Sequence, residues 1–303
     1  MPEAQPSIEI LAVLLQVGAS TLRVSTPLVL AALGGFFSER AGVINIALEG
    51  MMLMGAFAGA AATLKFGSPY VGALVAAGAG LITALLYALS VITLRADQIV
   101  AGTAINLLAL GVTPFGCKLL YGATGGTPNL ELAQRFTEAP LWFTGVLTGV
   151  VALWMRFTPT ALWVRFAGEH PDALEAAGVR VIPVRFAGVA LSGVLAGLAG
   201  ATLSIFLSSA FARNMTAGRG FMAIAALIFG KWKPLPTAAA CLLFGLADAL
   251  QIRLQGVTLW GSEPVPVQFI QVLPYLATVI VLAGFVGRSR APSALGTPYP
   301  RAR

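Results

Sequence analysis

Long apolar runs follow one another through the chain, at roughly 8–37, 43–64, 70–94, 99–121, 141–157, 181–208, 219–230, 235–254 and 266–286. A helix needs about 20 residues to cross hydrocarbon, and most of these runs are long enough. In lipid every backbone N–H and C=O must find a partner inside the protein, which leaves helices or a closed barrel. The runs lack the alternation of barrel strands. The expectation is an all-α polytopic membrane protein with about 8–10 transmembrane or half-spanning helices. Composition agrees: 57% of residues are hydrophobic and 10% charged, too few charges to clothe a soluble domain.

The first run is long enough for one kinked helix or a tight helical pair, and Arg23 and Pro27 in its middle leave both open. The run 219–230 is too short to cross alone and reads as a half-helix. No basic region precedes the first apolar run, so a cleaved signal peptide is not expected. Cys117 and Cys241 lie inside apolar runs without a second ligand cluster, and read as core residues rather than a disulfide or metal site. The excess of 19 Lys and Arg over 12 acids reads as the basic bias of cytoplasmic loops, not as a nucleic-acid surface. Glycines four apart, such as Gly55 with Gly59 and Gly193 with Gly197, suit close helix packing.

Arg288, Arg290, Arg301 and Arg303 make a basic tail, 288–303, that belongs inside, following a transmembrane domain over 1–287. Counting spans back from it puts 231–235, 158–180 and 95–98 inside, with SERAGVIN (38–45) inside or just within the membrane. The same count puts 209–218 and 122–140 outside. Within the first of the inner polar stretches, Glu39 and Arg40 read as an anchoring turn. Asn45 and Glu49 are four apart and are expected on one face of the following helix, deeper in the bilayer. A carboxylate there is costly unless paired or wet.

The region 158–180 is too polar to span, yet GEHPDALEAAGVRV specifies a short helix. Gly168 or His170 can cap it, Pro171 suits the first helical position, and Asp172 complements the positive helix end. Ala173, Leu174, Glu175, Ala176 and Ala177 favour helix, and Gly178 stops it. About two turns are marginal alone in water, so something must hold them. His170 reads as a cap or a solvated side chain, and the acids as a solvated face.

Three stretches carry a family resemblance: SERAGVINIALEGMMLMGAF, GEHPDALEAAGVRVIPVRFAGVALSGVLAGLAGATL and GRGFMAIAALIFGKWKP. The chain resembles permease subunits of ATP-binding-cassette (ABC) importers, in the branch shared by branched-chain amino-acid, ribose-type sugar and nucleoside systems. The first stretch is closest to the nucleoside and simple-sugar permeases. The resemblance implies cytosolic ATPase subunits, a second permease subunit that is a different chain, and an extracellular or periplasmic solute-binding protein. It makes the short helix the ATPase-coupling helix, through Glu169, Pro171, Asp172, Ala173, Glu175, Ala176, Ala177 and Gly178. It also implies a multi-pass location in the inner (plasma) membrane with the C-terminus cytoplasmic. No G-x-x-x-x-G-K-[ST] phosphate loop occurs, so ATP hydrolysis is expected elsewhere and no cofactor or metal is implied.

Nucleosides are the expected solute, with simple sugars second. The pathway is expected between glycine-interrupted segments near 42–55 and 214–230, lined by Asn45, Glu49, Asn106 and Asn214, all of which could equally bond between helices. An ion-coupled secondary transporter is the alternative, with Glu39, Glu49, Asp97 and Asp248 as its carboxylates.

Overall fold

A computed structural model describes residues 6–254 and 290–299, with side chains placed from residue 13. The run 266–286 lies outside the described residues. Ten α-helices occur among them: α1 (Pro6–Arg40), α2 (Leu48–Phe66), α3 (Pro69–Ala88), α4 (Gln98–Tyr121), α5 (Ala139–Phe157), α6 (Pro159–Glu169), α7 (Pro171–Ala176), α8 (Val181–Ala201), α9 (Arg219–Phe229) and α10 (Pro234–Leu254). Both α3 and α8 continue into a wider π-helical turn, Leu89–Thr93 and Thr202–Leu207. Six segments are long and apolar enough to cross a membrane: Val13–Arg40, Pro69–Thr93, Gln98–Tyr121, Leu132–Phe157, Val181–Leu207 and Pro234–Leu254. The chain is a multi-pass α-helical membrane protein.

The first run is a single helix despite Pro27. Immediately before the proline, Ser25 Oγ donates to the Thr21 carbonyl at 2.7 Å and Thr26 Oγ1 to the Leu22 carbonyl at 2.9 Å, each one turn back. Such side-chain bonds and packed neighbours let a membrane helix absorb a proline.

The centre is built on small residues. On α8, Gly197 meets Gly55 of α2, and a Cβ on Gly80 of α3 would lie 2.8 Å from Gly197 Cα. Lipid supplies no hydrophobic drive between helices, so close backbone approach is what holds them. Gly197→Leu is therefore expected to separate α2 and α3 from α8, read as loss of a monodisperse peak in detergent.

The polar stretches sort into two ends. Around Arg40 gather the turn after α1, Gln98, the α6–α7 link, the α9–α10 turn and residues 290–299. These are the stretches counted to one membrane face. At the other end the loops after α4 and α8 pair, with Thr127 N bonded to Phe211 O at 3.0 Å and Arg213 N to Gly125 O at 2.8 Å.

Two boundaries differ from the sequence reading. The second run begins as irregular chain, and α2 starts only at Leu48. Gly42 sits at φ +92°, which turns the chain back after α1, and side chains from α3 and α4 then hold it extended. In addition, 158–180 contains a second helix, α6, whose start is marked by Thr158 followed by Pro159.

Candidate functional site

At the Arg40 end, Pro171 opens α7, and Gly178 at φ +83° closes it. His170 precedes the helix without making a side-chain cap bond. Leu174 alone is buried, at 3% exposure, packed with Ala167 and Val181. Asp172, Ala173, Glu175, Ala176, Ala177 and Gly178 are exposed. The helix thus buries one side chain, Leu174, in the chain beneath it.

Residues 290–299 form a strap across it. Ala294 N donates to the Gly168 carbonyl at 2.8 Å, and Gly296 N to the Gly42 carbonyl at 3.1 Å. Arg185 Nη1 donates to the Thr297 carbonyl at 2.7 Å. The hydroxyl of Ser293 donates to the Glu169 carbonyl, and that of Tyr299 to the Glu175 carboxylate. The carboxylate bond pushes the Tyr299 phenol up to about 12.

Behind the helix, Arg40 bridges three elements. Its Nη1 lies 3.2 Å from Glu169 Oε1, and its Nε donates to the Trp232 carbonyl at 3.1 Å. Trp232 Nε1 in turn donates to Glu39 Oε2 at 2.6 Å. Lys231 and Trp232 both adopt left-handed backbone, φ +52° and +51°, which only a held turn sustains in non-glycine residues. The anchoring turn read from Glu39 and Arg40 is a junction between α1, the α6–α7 link and the α9–α10 turn. Gly168 permits it: a Cβ there would strike the Arg40 carbonyl and lie 3.0 Å from Gly42 N. Gly168→Ala is expected to lift α6 off the junction, measured as faster proteolysis of the 158–180 loop.

The second cluster lies deeper, where α2 and α9 begin. Neither helix has a side-chain cap of its own, since Ala47 and Gly218 stand at the cap positions. Both are capped by other helices. Asn106 on α4 accepts from Gly50 N at 2.8 Å and donates to the Ile46 carbonyl at 3.0 Å. Glu49, the second residue of α2, accepts from Gly218 N at 2.8 Å and Gly220 N at 2.7 Å. A helix start offers unpaired N–H groups and a positive dipole end, so a carboxylate satisfies both. Gly220 is required for the fit: a Cβ there would lie 2.6 Å from Glu49 N. The segments 42–55 and 214–230 are therefore in direct contact.

Asn45 is not on α2, because the helix has not begun there. It does not share a helical face with Glu49, correcting the sequence expectation. Its Nδ2 donates to Ser192 Oγ on α8 at 2.8 Å, while its buried Oδ1 has no partner. Asn214 is exposed, at φ +57°, in the turn leading to Gly218. Sequence reasoning missed Gln98, whose Oε1 accepts from Ile44 N at 2.8 Å, as well as Tyr87 and Ser192. Their partners lie far away in sequence, so no local pattern marks them. Gly218 and Gly220 were visible as the GRG of the third stretch.

Comparison with known proteins settles the family. The family described as branched-chain amino acid transport system / permease component matches residues 18–282. The chain belongs to that permease family. It is 37% identical to the guanosine ABC transporter permease protein NupQ of Bacillus subtilis, over 96% of this chain and 98% of the relative. It is also 37% identical to the nucleoside ABC transporter permease protein NupC of Lactococcus lactis, over 94% and 96%. The putative glucose ABC transporter permease protein TsgC13 of Haloferax volcanii is 32% identical, over 93% and 96%. Family membership favours the permease over an ion-coupled transporter. Three of the four carboxylates of that alternative have other employment: Glu39 receives Trp232, Glu49 caps α9, and Asp97 caps α4 through Ile99 N and Val100 N, both at 2.9 Å.

Proposed function

We propose that this permease is one membrane subunit of a heteromeric ABC importer for nucleosides. The α6–α7 end faces the cytoplasm, where the outward side of α7 docks an ATPase subunit that hydrolyses ATP. A different permease chain completes the pathway, and an extracellular or periplasmic solute-binding protein delivers the solute. The protein sits in the inner (plasma) membrane with its C-terminal segment inside. The observation that carries this reading is α7: a short helix held by Leu174 and by the strap, next to the Arg40–Glu169 pair, with Asp172, Ala173, Ala176 and Ala177 still exposed. Near full-length similarity to two nucleoside permeases supports the solute class.

The pathway runs beside the joined starts of α2 and α9. Glu49 and Asn106 hold the backbone there, and Asn45 Oδ1 and Thr216 Oγ1 are buried without a partner. Asn214 stands exposed in the turn that leads into Gly218.

Deleting residues 169–178 is expected to leave membrane insertion intact and to abolish co-purification with the ATPase from the same gene cluster. Retained co-purification would refute the docking role. ATP-dependent uptake of labelled guanosine, competed by other nucleosides but not by glucose, is expected in vesicles holding the complete transporter. Competition by glucose alone would move the solute class to sugars.

A further inference from the structure

Three arginines converge at the end of the bundle opposite α7. Arg23 of α1, Arg135 just before α5 and Arg253 in the last turn of α10 line one cavity of about 240 Å³. Its other walls include Phe206, Leu207 and Ile252. Among the described residues no carboxylate lines it, and none of the three arginines makes an ion pair. Their contacts instead hold them in place. The Arg23 guanidinium lies 5.2 Å from the Phe206 ring centre, Arg135 Nη2 donates to the Phe206 carbonyl at 3.5 Å, and Arg253 donates to Gln16. Arg135 Nε is buried with no partner. Guanidinium groups stay charged at any physiological pH and carry five donors each, so this cavity concentrates unanswered donors and positive charge.

Its depth identifies the acceptor. Helix rise carries Arg23 roughly 25 Å along α1 from Arg40, close to the thickness of a bilayer's hydrocarbon. The far ends of α8 and α10 and the start of α5 meet at the same level. From the cavity towards the bilayer centre the surface of α10 is apolar and exposed at Leu242, Leu246 and Leu250, while Leu22 of α1 and Ile252 of α10 flank the cavity at its own level. Three cations at a hydrocarbon boundary, between bilayer-facing apolar side chains, match a group that is anionic above and acyl below.

We infer that the Arg23–Arg135–Arg253 cavity is a phosphate site filled by the headgroup of an anionic phospholipid. The phosphate oxygens accept from the guanidinium groups in paired bonds of the kind arginine makes with phosphate. The acyl chains lie along the exposed apolar side of α10.

The test uses the full-length permease in nanodiscs of phosphatidylcholine alone or mixed equally with phosphatidylglycerol. A parallel detergent sample receives inorganic phosphate. Phosphatidylglycerol is expected to raise the melting temperature of the wild type. The triple variant Arg23→Gln/Arg135→Gln/Arg253→Gln is expected to lose that rise and, by native mass spectrometry, to retain phosphatidylglycerol roughly tenfold less tightly. Should the triple variant fail to fold, Arg23→Gln and Arg253→Gln singly are each expected to weaken retention, with Arg→Lys intermediate because the charge remains and the fork is lost. A matching rise with inorganic phosphate alone keeps the phosphate chemistry and assigns the source to a soluble anion. Unchanged lipid retention in all variants overturns the inference. So does unchanged retention with loss of solute-binding-protein capture, which would make the arginines a protein contact.

Discussion

Glu49→Ala is expected to reduce uptake in vesicles to background while the chain still inserts. The carboxylate is 8% exposed and accepts from both Gly218 N and Gly220 N. Alanine leaves two N–H groups at the start of α9 without an acceptor, and each such orphan costs about 1–3 kcal/mol when buried. Helix α9 has only eleven residues and lacks a side-chain cap at Gly218, so it has no local substitute. Glu49→Gln is expected to be milder. It keeps one oxygen for one N–H and turns an amide NH2 towards the other. Transport at wild-type level in Glu49→Ala would show that the starts of α2 and α9 need not be joined for solute to pass.

Arg40 is expected to separate ATP hydrolysis from transport. Its ion pair with Glu169 is partly exposed, with side-chain exposures of 13% and 32%. A pair of that kind contributes about 1 kcal/mol or less to stability, so Arg40→Ala should fold and bind the ATPase. The larger effect is mechanical. Arg40 is the side chain that ties the α6–α7 link to both α1 and the α9–α10 turn. Without it, movement of α7 no longer reaches those helices, and solute moved per ATP is expected to fall by about tenfold, equivalent to roughly 1.4 kcal/mol of lost coupling. Arg40→Glu combined with Glu169→Arg should recover part of the loss, whereas either alone should not. If the ratio of uptake to hydrolysis is unchanged in Arg40→Ala, force travels by another route.

What the sequence revealed follows the range of the forces involved. Membrane spans were legible because hydrocarbon imposes a uniform requirement on some twenty consecutive residues. Helix α7 was legible because Pro171 and Gly178 act on their own backbone, at its two ends. The same local logic marks α6 in Thr158 and Pro159, within a region whose overall polarity reads as loop. The start of α2 was illegible for a different reason. Its position depends on Gln98 and Asn106, more than fifty residues downstream, reaching back to Ile44, Ile46 and Gly50. Asn45 was placed on a helix that those distant bonds delay. The joined segments 42–55 and 214–230 were marked by their glycines, but only folding reveals that Glu49 is the clasp between them.

The strap at 290–299 has a consequence for biogenesis. Residues 171–176 leave the ribosome long before residues 293–299, which supply the bonds to Glu169, Gly168 and Glu175. A nascent chain halted between the two carries α7 with Leu174 as its main anchor and its outer rim unfastened. The surface around α7 therefore acquires its final shape only once residues 293–299 have been made and have folded back on it.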